Sequence, residues 1–394
     1  MKTLPKSRVL LACLFITGII LSLYLRIVFF PYYSGDSHDF LVPWYNFIAS
    51  HGFIQSLSQN FYNYNPPYIY LIGLATFFHW IPKLTAIKII SVLFDFAAAA
   101  AAFRIVALKR ADKQWAWLAF FTVLMTPTVF VESGFWGQCD VIYTSFILWM
   151  IYFLLRKKYF TAMIFFSLAF AFKSQAIFFA PLILLLLIER KLPVYSLIIP
   201  VVVYFLSILP AWAAGRPLLD LLSIYLSQAG TYNSLSMNAP NLFFFFSGKA
   251  NYSLTGITIG LILATLFVAG YLALRTKKKA LDSVDFYFFD ACLLAFFLPF
   301  LLPKMHERYF FPAALFFLIA AFFDKKTIWL GIFLQLSSLL SYLGFLYDLP
   351  VNTTAIAFAI NMVLAIFIVI WYWKKIQAKE QQTALVPPVN WQSS

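Results

Sequence analysis

Two aspartates three residues apart open the first polar stretch of the chain, in the run "YYSGDSHDFLVPWYNF" that follows the first apolar segment. Asp36 and Asp39, with His38 between them, have the types and spacing of a general base or of metal ligands, because a carboxylate can take a proton from a bound hydroxyl. Asp39 also precedes an amphipathic stretch, Phe40 to Leu57, so a helix N-cap is the competing reading for either aspartate. A second acidic position lies in "ESGFWGQCDVIYT", where Glu132 and Asp140 flank Gln138 between two apolar runs. Ionisable groups so placed are functional candidates by default, and Asp140 also reads as a cap for the helix that follows it.

Cations complement these acids. Lys173 sits between two short apolar runs, 160–172 and 176–188. Each rises only ~20 Å at 1.5 Å per residue, short of the ~30 Å of a hydrocarbon layer, so the tip Lys173-Ser174-Gln175 belongs within membrane depth. A lysine there costs ~2.5–3.5 kcal/mol on insertion scales; it either snorkels to the interface or faces a cavity that holds an anion. In "PKMHERYFFP", Lys304, His306, Glu307 and Arg308 crowd together, and Lys and Arg are the side chains that hold phosphate. A local Glu307–Arg308 ion pair is the alternative. Polar side chains expected to touch a substrate are His38, Tyr64, Asn65, Gln138, Gln175, Asn238 and Asn241. The segments "NYNPPYIYL" and "NAPNLF" suit stacking on and hydrogen bonding to carbohydrate, or else an interfacial anchor and a connector. Walker loops, zinc motifs, haem motifs and nucleophile elbows do not occur.

The elements that must position these residues are apolar helices. The chain has 394 residues, 63% hydrophobic and 11% charged, and runs of the ~20 residues needed to span a bilayer recur from end to end. The expected fold is all-α: a polytopic membrane protein of about 12 transmembrane helices in a single domain, 1–376, with a disordered cytoplasmic tail, 377–394. The net charge of +14 sits in short basic clusters between apolar runs, which is the positive-inside pattern and excludes nucleic acid as a partner. Placing all the clusters on the cytoplasmic side requires an even number of crossings between them. Three apolar stretches separate Arg8 from Lys109, so the shortest, 66–82, reads as a surface-lying helix. Residues 31–85 then form one exoplasmic loop with interfacial helices, and 214–251 form the third exoplasmic loop.

The remaining expected spans are 9–30, 86–107, 115–132, 141–155, 160–172, 176–188, 192–213, 252–274, 285–302, 309–323, 327–346 and 352–373, with both termini cytoplasmic in a plasma membrane. Trp115, Trp117, Trp371 and Trp373 fall at inner boundaries, and Trp44, Trp80 and Trp136 at outer ones. Cys13, Cys139 and Cys292 read as small packing residues.

Taken in order, "GDSHDF", "NYNPPYIYL", "WGQCDVIYT", "FKSQAIFFAPL", "NAPNLF" and "MHERYFFP" resemble bacterial integral-membrane glycosyltransferases of the GT-C superfamily, over the chain from the first span to about residue 315. The resemblance implies transfer of a hexose-type sugar from a polyprenyl-phosphate carrier to an envelope glycan or lipid-linked acceptor on the exoplasmic face, with inversion. It implies Asp36 or Asp39 as the base and Asp140, with Glu132, as the second acidic position. Lys173, Lys304, His306 and Arg308 would hold the donor phosphate. The family's first-loop acids are often adjacent or separated by one residue, whereas two residues separate Asp36 from Asp39. Some relatives use a divalent cation and others do not, so the resemblance leaves the metal open. Two other classes fit the composition: a transporter or flippase for a lipid-linked or small polar solute, and a non-catalytic assembly partner for envelope polymers.

Overall fold

The computed structural model describes residues 6–231, 234–246, 253–277, 286–347 and 352–384. Helix α1 (Lys6–Ile27) leads to a wide π-type turn (Ser37–Leu41), then α2 (Val42–His51), α3 (Phe53–Leu57) and α4 (Pro66–Thr76). The long α5 (Lys83–Ala107) is followed by α6 (Lys113–Met125), the short α7 (Pro127–Phe130) and a second wide turn (Val131–Trp136). Next come α8 (Asp140–Leu155), α9 (Tyr159–Phe172), a tight 3₁₀ segment (Ser174–Phe179), α10 (Ala180–Ile188), α11 (Ile198–Ala213) and α12 (Leu218–Thr231). The rest comprises α13 (Ser253–Lys277), α14 (Phe286–Leu301), a 3₁₀ turn (Glu307–Phe310), α15 (Phe311–Ala320), α16 (Thr327–Leu346) and α17 (Asn352–Ala384). The described residues are therefore all-α apart from one parallel pairing of two-residue strands, β1 (Ser236–Met237) on β2 (Met305–His306).

Among the described residues, six helical segments are long and apolar enough to cross a membrane: Val9–Ile27, Lys83–Ala107, Val194–Ala213, Leu254–Lys277, Thr327–Leu346 and Asn352–Gln382. A seventh is reached only if α6 and the segment Pro127–Trp136 count as one, bent by 48°. Pro127 supplies the break, since proline disfavours helical geometry in the residue before it, and Thr126 is extended there. The straight span expected over 115–132 is thus two pieces. Other expected spans are short apolar helices, among them α8, α9, α14 and Ser174–Ile188. At 16 residues, α8 and α14 rise ~24 Å. Only 11% of the apolar window in α1, and 17% of those in α11 and α13, is buried. Faces so rich in exposed Leu, Ile and Val fit a membrane-embedded protein.

Between α1 and α5 the chain forms short helices. The amphipathic stretch divides at Gly52 (φ +84°) into α2 and α3. Helix α4 has 11 residues, ~17 Å, too short to cross, and packs against α2, α5 and α11. Two other expectations change. Trp136 is completely buried and Trp44 nearly so, so neither is a belt residue. Helix α17 continues to Ala384, eight residues into the segment expected to be disordered (377–384); residues 385–394 of that tail lie outside the described residues. Buried side chains from Leu41 to Ile376 form one connected core, with α5 against α6 and α8, α8 against α9, and α16 against α15 and α17.

Candidate functional site

Two segments are pinned together before any substrate group is placed. At the end of α1, the buried Arg26 pairs with Asp95 of α5 at 2.7 Å, and Ser133 of the second wide turn donates to the same carboxylate oxygen at 2.6 Å. Two turns earlier on α5, Lys88 donates its ammonium to the carbonyls of Phe29, Phe30, Tyr32 and Phe135. These carbonyls belong to the chain leaving α1 and to the second wide turn, so one lysine ties both to α5. Gly134 lets the turn approach α1 closely; a Cβ there would lie 3.0 Å from the Arg26 Cα. Ser34 then donates to the Trp136 carbonyl at 2.7 Å and bonds Ser37 at 2.8 Å. The aspartate-bearing turn is thereby fixed to the "WGQCD" segment. Sequence reasoning missed Arg26, Lys88 and Asp95 as framework residues, although an ionisable residue inside an apolar helix is a readable signal.

A cavity of about 510 Å³ opens beside this junction, within the usual range for small-molecule sites. Asp36, Tyr64, Gln138, Lys173, Gln175, Lys304, His306 and Arg308 all line it. Asp36 accepts hydrogen bonds at Oδ2 from Trp136 Nε1 (2.8 Å) and from the Gln138 amide. Its Oδ1 has no hydrogen-bond partner among the described residues. Gly137, at φ +84°, turns the chain so that Gln138 reaches Asp36; the left-handed region suits glycine. Both Gly137 and Gln138 donate their backbone N–H to the Glu132 carbonyl at 2.8 Å.

Behind the cavity wall lies an ionic cluster. Asp140 is fully buried and accepts from Lys173 Nζ at 2.7 Å; it caps nothing. Arg308 Nε stands 3.2 Å from the other Asp140 oxygen, Arg308 Nη1 bonds Glu307 at 2.8 Å, and the same nitrogen is 3.9 Å from Asp36. Burial raises the Glu307 carboxyl, but the His306 ring and the Arg308 charge outweigh it and hold the group below its ordinary range. Lys173 is 6% exposed and its ammonium sits about equally far from the rings of Tyr64, Tyr143 and Tyr309. The residue lines the cavity with its ammonium held by Asp140. Gln175 donates to the Tyr309 hydroxyl at 2.7 Å. Lys304 adopts φ +59°, uncommon for a residue with a side chain, where β1 and β2 join the third and fourth loops.

Several expected site residues lie elsewhere. Asp39 points outward and bonds only His38, at 2.8 Å, with side chains 63% and 79% exposed. Glu132 is buried outside the cavity and accepts from Tyr342 at 2.5 Å. Asn65 is a clamp, donating to the Ala171 carbonyl and accepting from Tyr204. Asn241 bonds the Pro299 and Leu302 carbonyls and the Phe243 N–H. Asn238 pairs with His306 through its backbone, at φ +54°. The side chains of Asn65 and Asn241 are thus engaged within the protein, and Asn238 contributes its backbone. Residues not anticipated as wall or support are Trp136, Tyr68, Tyr143 and Tyr309. Among the described residues, no group of three or more His, Cys, Asp or Glu is placed to hold a metal ion.

No family model and no curated protein matches the chain. The functional reading therefore rests on the cavity. Chemically, Asp36 presents one free carboxylate oxygen whose partner oxygen is held by two donors, so its direction is fixed. Trp136→Phe and Gln138→Ala each remove one donor. Were Asp36 a catalytic base, each would be expected to lower that activity by about tenfold, roughly one charge-assisted hydrogen bond of 1.5–3 kcal/mol less what solvent restores. The measurement is turnover beside thermal stability: a positioning role lowers turnover at an unchanged thermal midpoint, whereas a merely structural role lowers both.

Proposed function

We propose that the chain is a membrane glycosyltransferase that moves a hexose-type sugar from a polyprenyl-phosphate carrier to an envelope glycan or lipid-linked acceptor, with inversion. The observation that carries this reading is the composition of one cavity wall. A single carboxylate with a free oxygen, Asp36, faces Lys173, Lys304, His306 and Arg308. Such a set accepts one proton and holds one anion, which are the two tasks of a displacement that expels a phosphate.

In the proposed step an acceptor hydroxyl oxygen attacks the anomeric carbon of the donor sugar. Its proton passes to Asp36 Oδ1 as the new C–O bond forms. The bond from the anomeric carbon to the carrier phosphate breaks with its electron pair on phosphate, and Lys173, Arg308, Lys304 and His306 stabilise the charge that develops there. Asp140 holds Lys173 and Arg308 in place and takes no proton. We further propose about 12 membrane crossings, counting the short apolar helices, with both termini cytoplasmic and the cavity on the exoplasmic side. Residues 31–85 then lie on the outer surface, and the basic clusters keep to the cytoplasmic side.

The test is reconstitution of the whole chain in proteoliposomes with polyprenyl-phosphate hexoses and crude envelope glycolipids. Acceptor-dependent release of polyprenyl phosphate with inverted product stereochemistry supports the proposal. Movement of the intact lipid-linked sugar across the bilayer without release would identify a flippase and sink it.

A further inference from the structure

A second depression of about 490 Å³ adjoins the cavity. Phe40, Trp44 and Asn63 line both spaces, which are therefore immediate neighbours. The two linings differ in kind. The cavity carries three permanently charged cations, whereas the depression carries neither Lys nor Arg and a single carboxylate, Asp39, already paired with His38. Apart from Pro43, its remaining surface is aromatic and amide. Phe47 and Phe61 stack with ring centroids 4.2 Å apart, and Asn60 and Asn63 are exposed beside them.

Asn60 is prepared for a ligand from behind. Arg216 is 2% exposed, lies over the Tyr62 ring at 4.2 Å and donates Nη2 to Asn60 Oδ1 at 2.8 Å. This occupies the amide oxygen and fixes the flip of the side chain, so its NH₂ group remains to donate. A wall of flat apolar rings interleaved with amides cannot hold a phosphate, for want of a cation. It is also too polar for a lipid chain. Alternating C–H faces and hydroxyl groups match it, and those are the surface of a saccharide. Because Asp39, Asn60 and Asn63 are exposed, a long glycan can continue from it into water.

We infer that this depression is a subsite for a neutral saccharide, the acceptor side of the proposed transfer. Its role rests on that proposed reaction; its ligand chemistry does not. The experiment uses the full chain in nanodiscs, with mannotriose, maltotriose and chitotriose as probes observed by saturation-transfer NMR. At least one trisaccharide is expected to bind, and Asn60→Ala or Asn63→Ala to weaken it about three- to tenfold, one hydrogen bond each. Phe61→Leu, which keeps the apolar volume and loses the ring, is expected to weaken it similarly, with thermal stability verifying that the variants fold. Binding that persists when undecaprenyl phosphate saturates the cavity supports two separate subsites. No binding by any probe, or binding indifferent to all three substitutions, overturns the inference. If undecaprenyl phosphate fails to bind while a trisaccharide does, the transfer reaction falls and the saccharide site stands.

Discussion

Asp36→Asn is expected to lower sugar transfer by about 10²–10⁴, the contribution of a positioned general base, while leaving donor binding within a few-fold. The substitution is nearly isosteric. An asparagine can turn its amide oxygen to Trp136 Nε1 and Gln138, which now hold Asp36 Oδ2, and its NH₂ then occupies the place of Oδ1. The wall keeps its shape and hydrogen bonds but cannot take a proton. Asp39→Asn is expected to cost less than tenfold, and in KM for the acceptor instead of kcat. Asp39 is outside the cavity, and its contact with His38 is an exposed pair, of a kind worth ~0–1 kcal/mol. Steady-state transfer in nanodiscs, with donor affinity measured separately, decides between the two aspartates. Full turnover by the Asp36 variant would remove the base from the mechanism.

The difference between these aspartates shows what the sequence could and could not display. Three residues apart on an α-helix, both would share a face. The segment Ser37–Leu41 instead forms a π-type turn, in which hydrogen bonds skip to the fifth residue, and Asp39 rotates out to solvent. Ser34 and Ser37 impose that geometry through the Trp136 carbonyl, a contact across about a hundred residues that no local pattern encodes. Residues named for charge in unusual places fared better. Lys173 and Arg308 had to be paired or to line a cavity because solvating them otherwise is costly at membrane depth, and both line it. Asparagines were ambiguous for the opposite reason: the same amide suits sugar or a turn, and those of Asn65 and Asn241 bond carbonyls of the protein itself. The pattern of apolar runs located most of the long helices but missed α12, which falls in the expected loop 214–251. Its weakness was continuity, since Pro127 breaks the run 115–132 that read as one span.

The ionic cluster supplies the other large effect. Asp140→Asn leaves Lys173 and Arg308 buried beside a neutral amide; Arg308 then keeps Glu307 at 2.8 Å and Asp36 at 3.9 Å, while Lys173 loses its carboxylate. Breaking a buried pair on one side costs about 3–5 kcal/mol, so a marked fall in the thermal midpoint is expected, with transfer lost alongside it. Activity alone cannot then separate a structural lysine from one that holds the donor. The double variant Asp140→Asn/Lys173→Met can. Removing the stranded ammonium takes away most of the desolvation penalty, and a methionine fills the space among Tyr64, Tyr143 and Tyr309, so stability is expected to return most of the way to that of the wild type. If Lys173 served only to neutralise Asp140, transfer would return with it. If Lys173 meets the donor phosphate, the double variant folds and stays slow, with its deficit in donor affinity. Thermal unfolding and donor binding on the same samples separate the two outcomes, and recovery of both would leave Arg308, Lys304 and His306 to hold the anion without it.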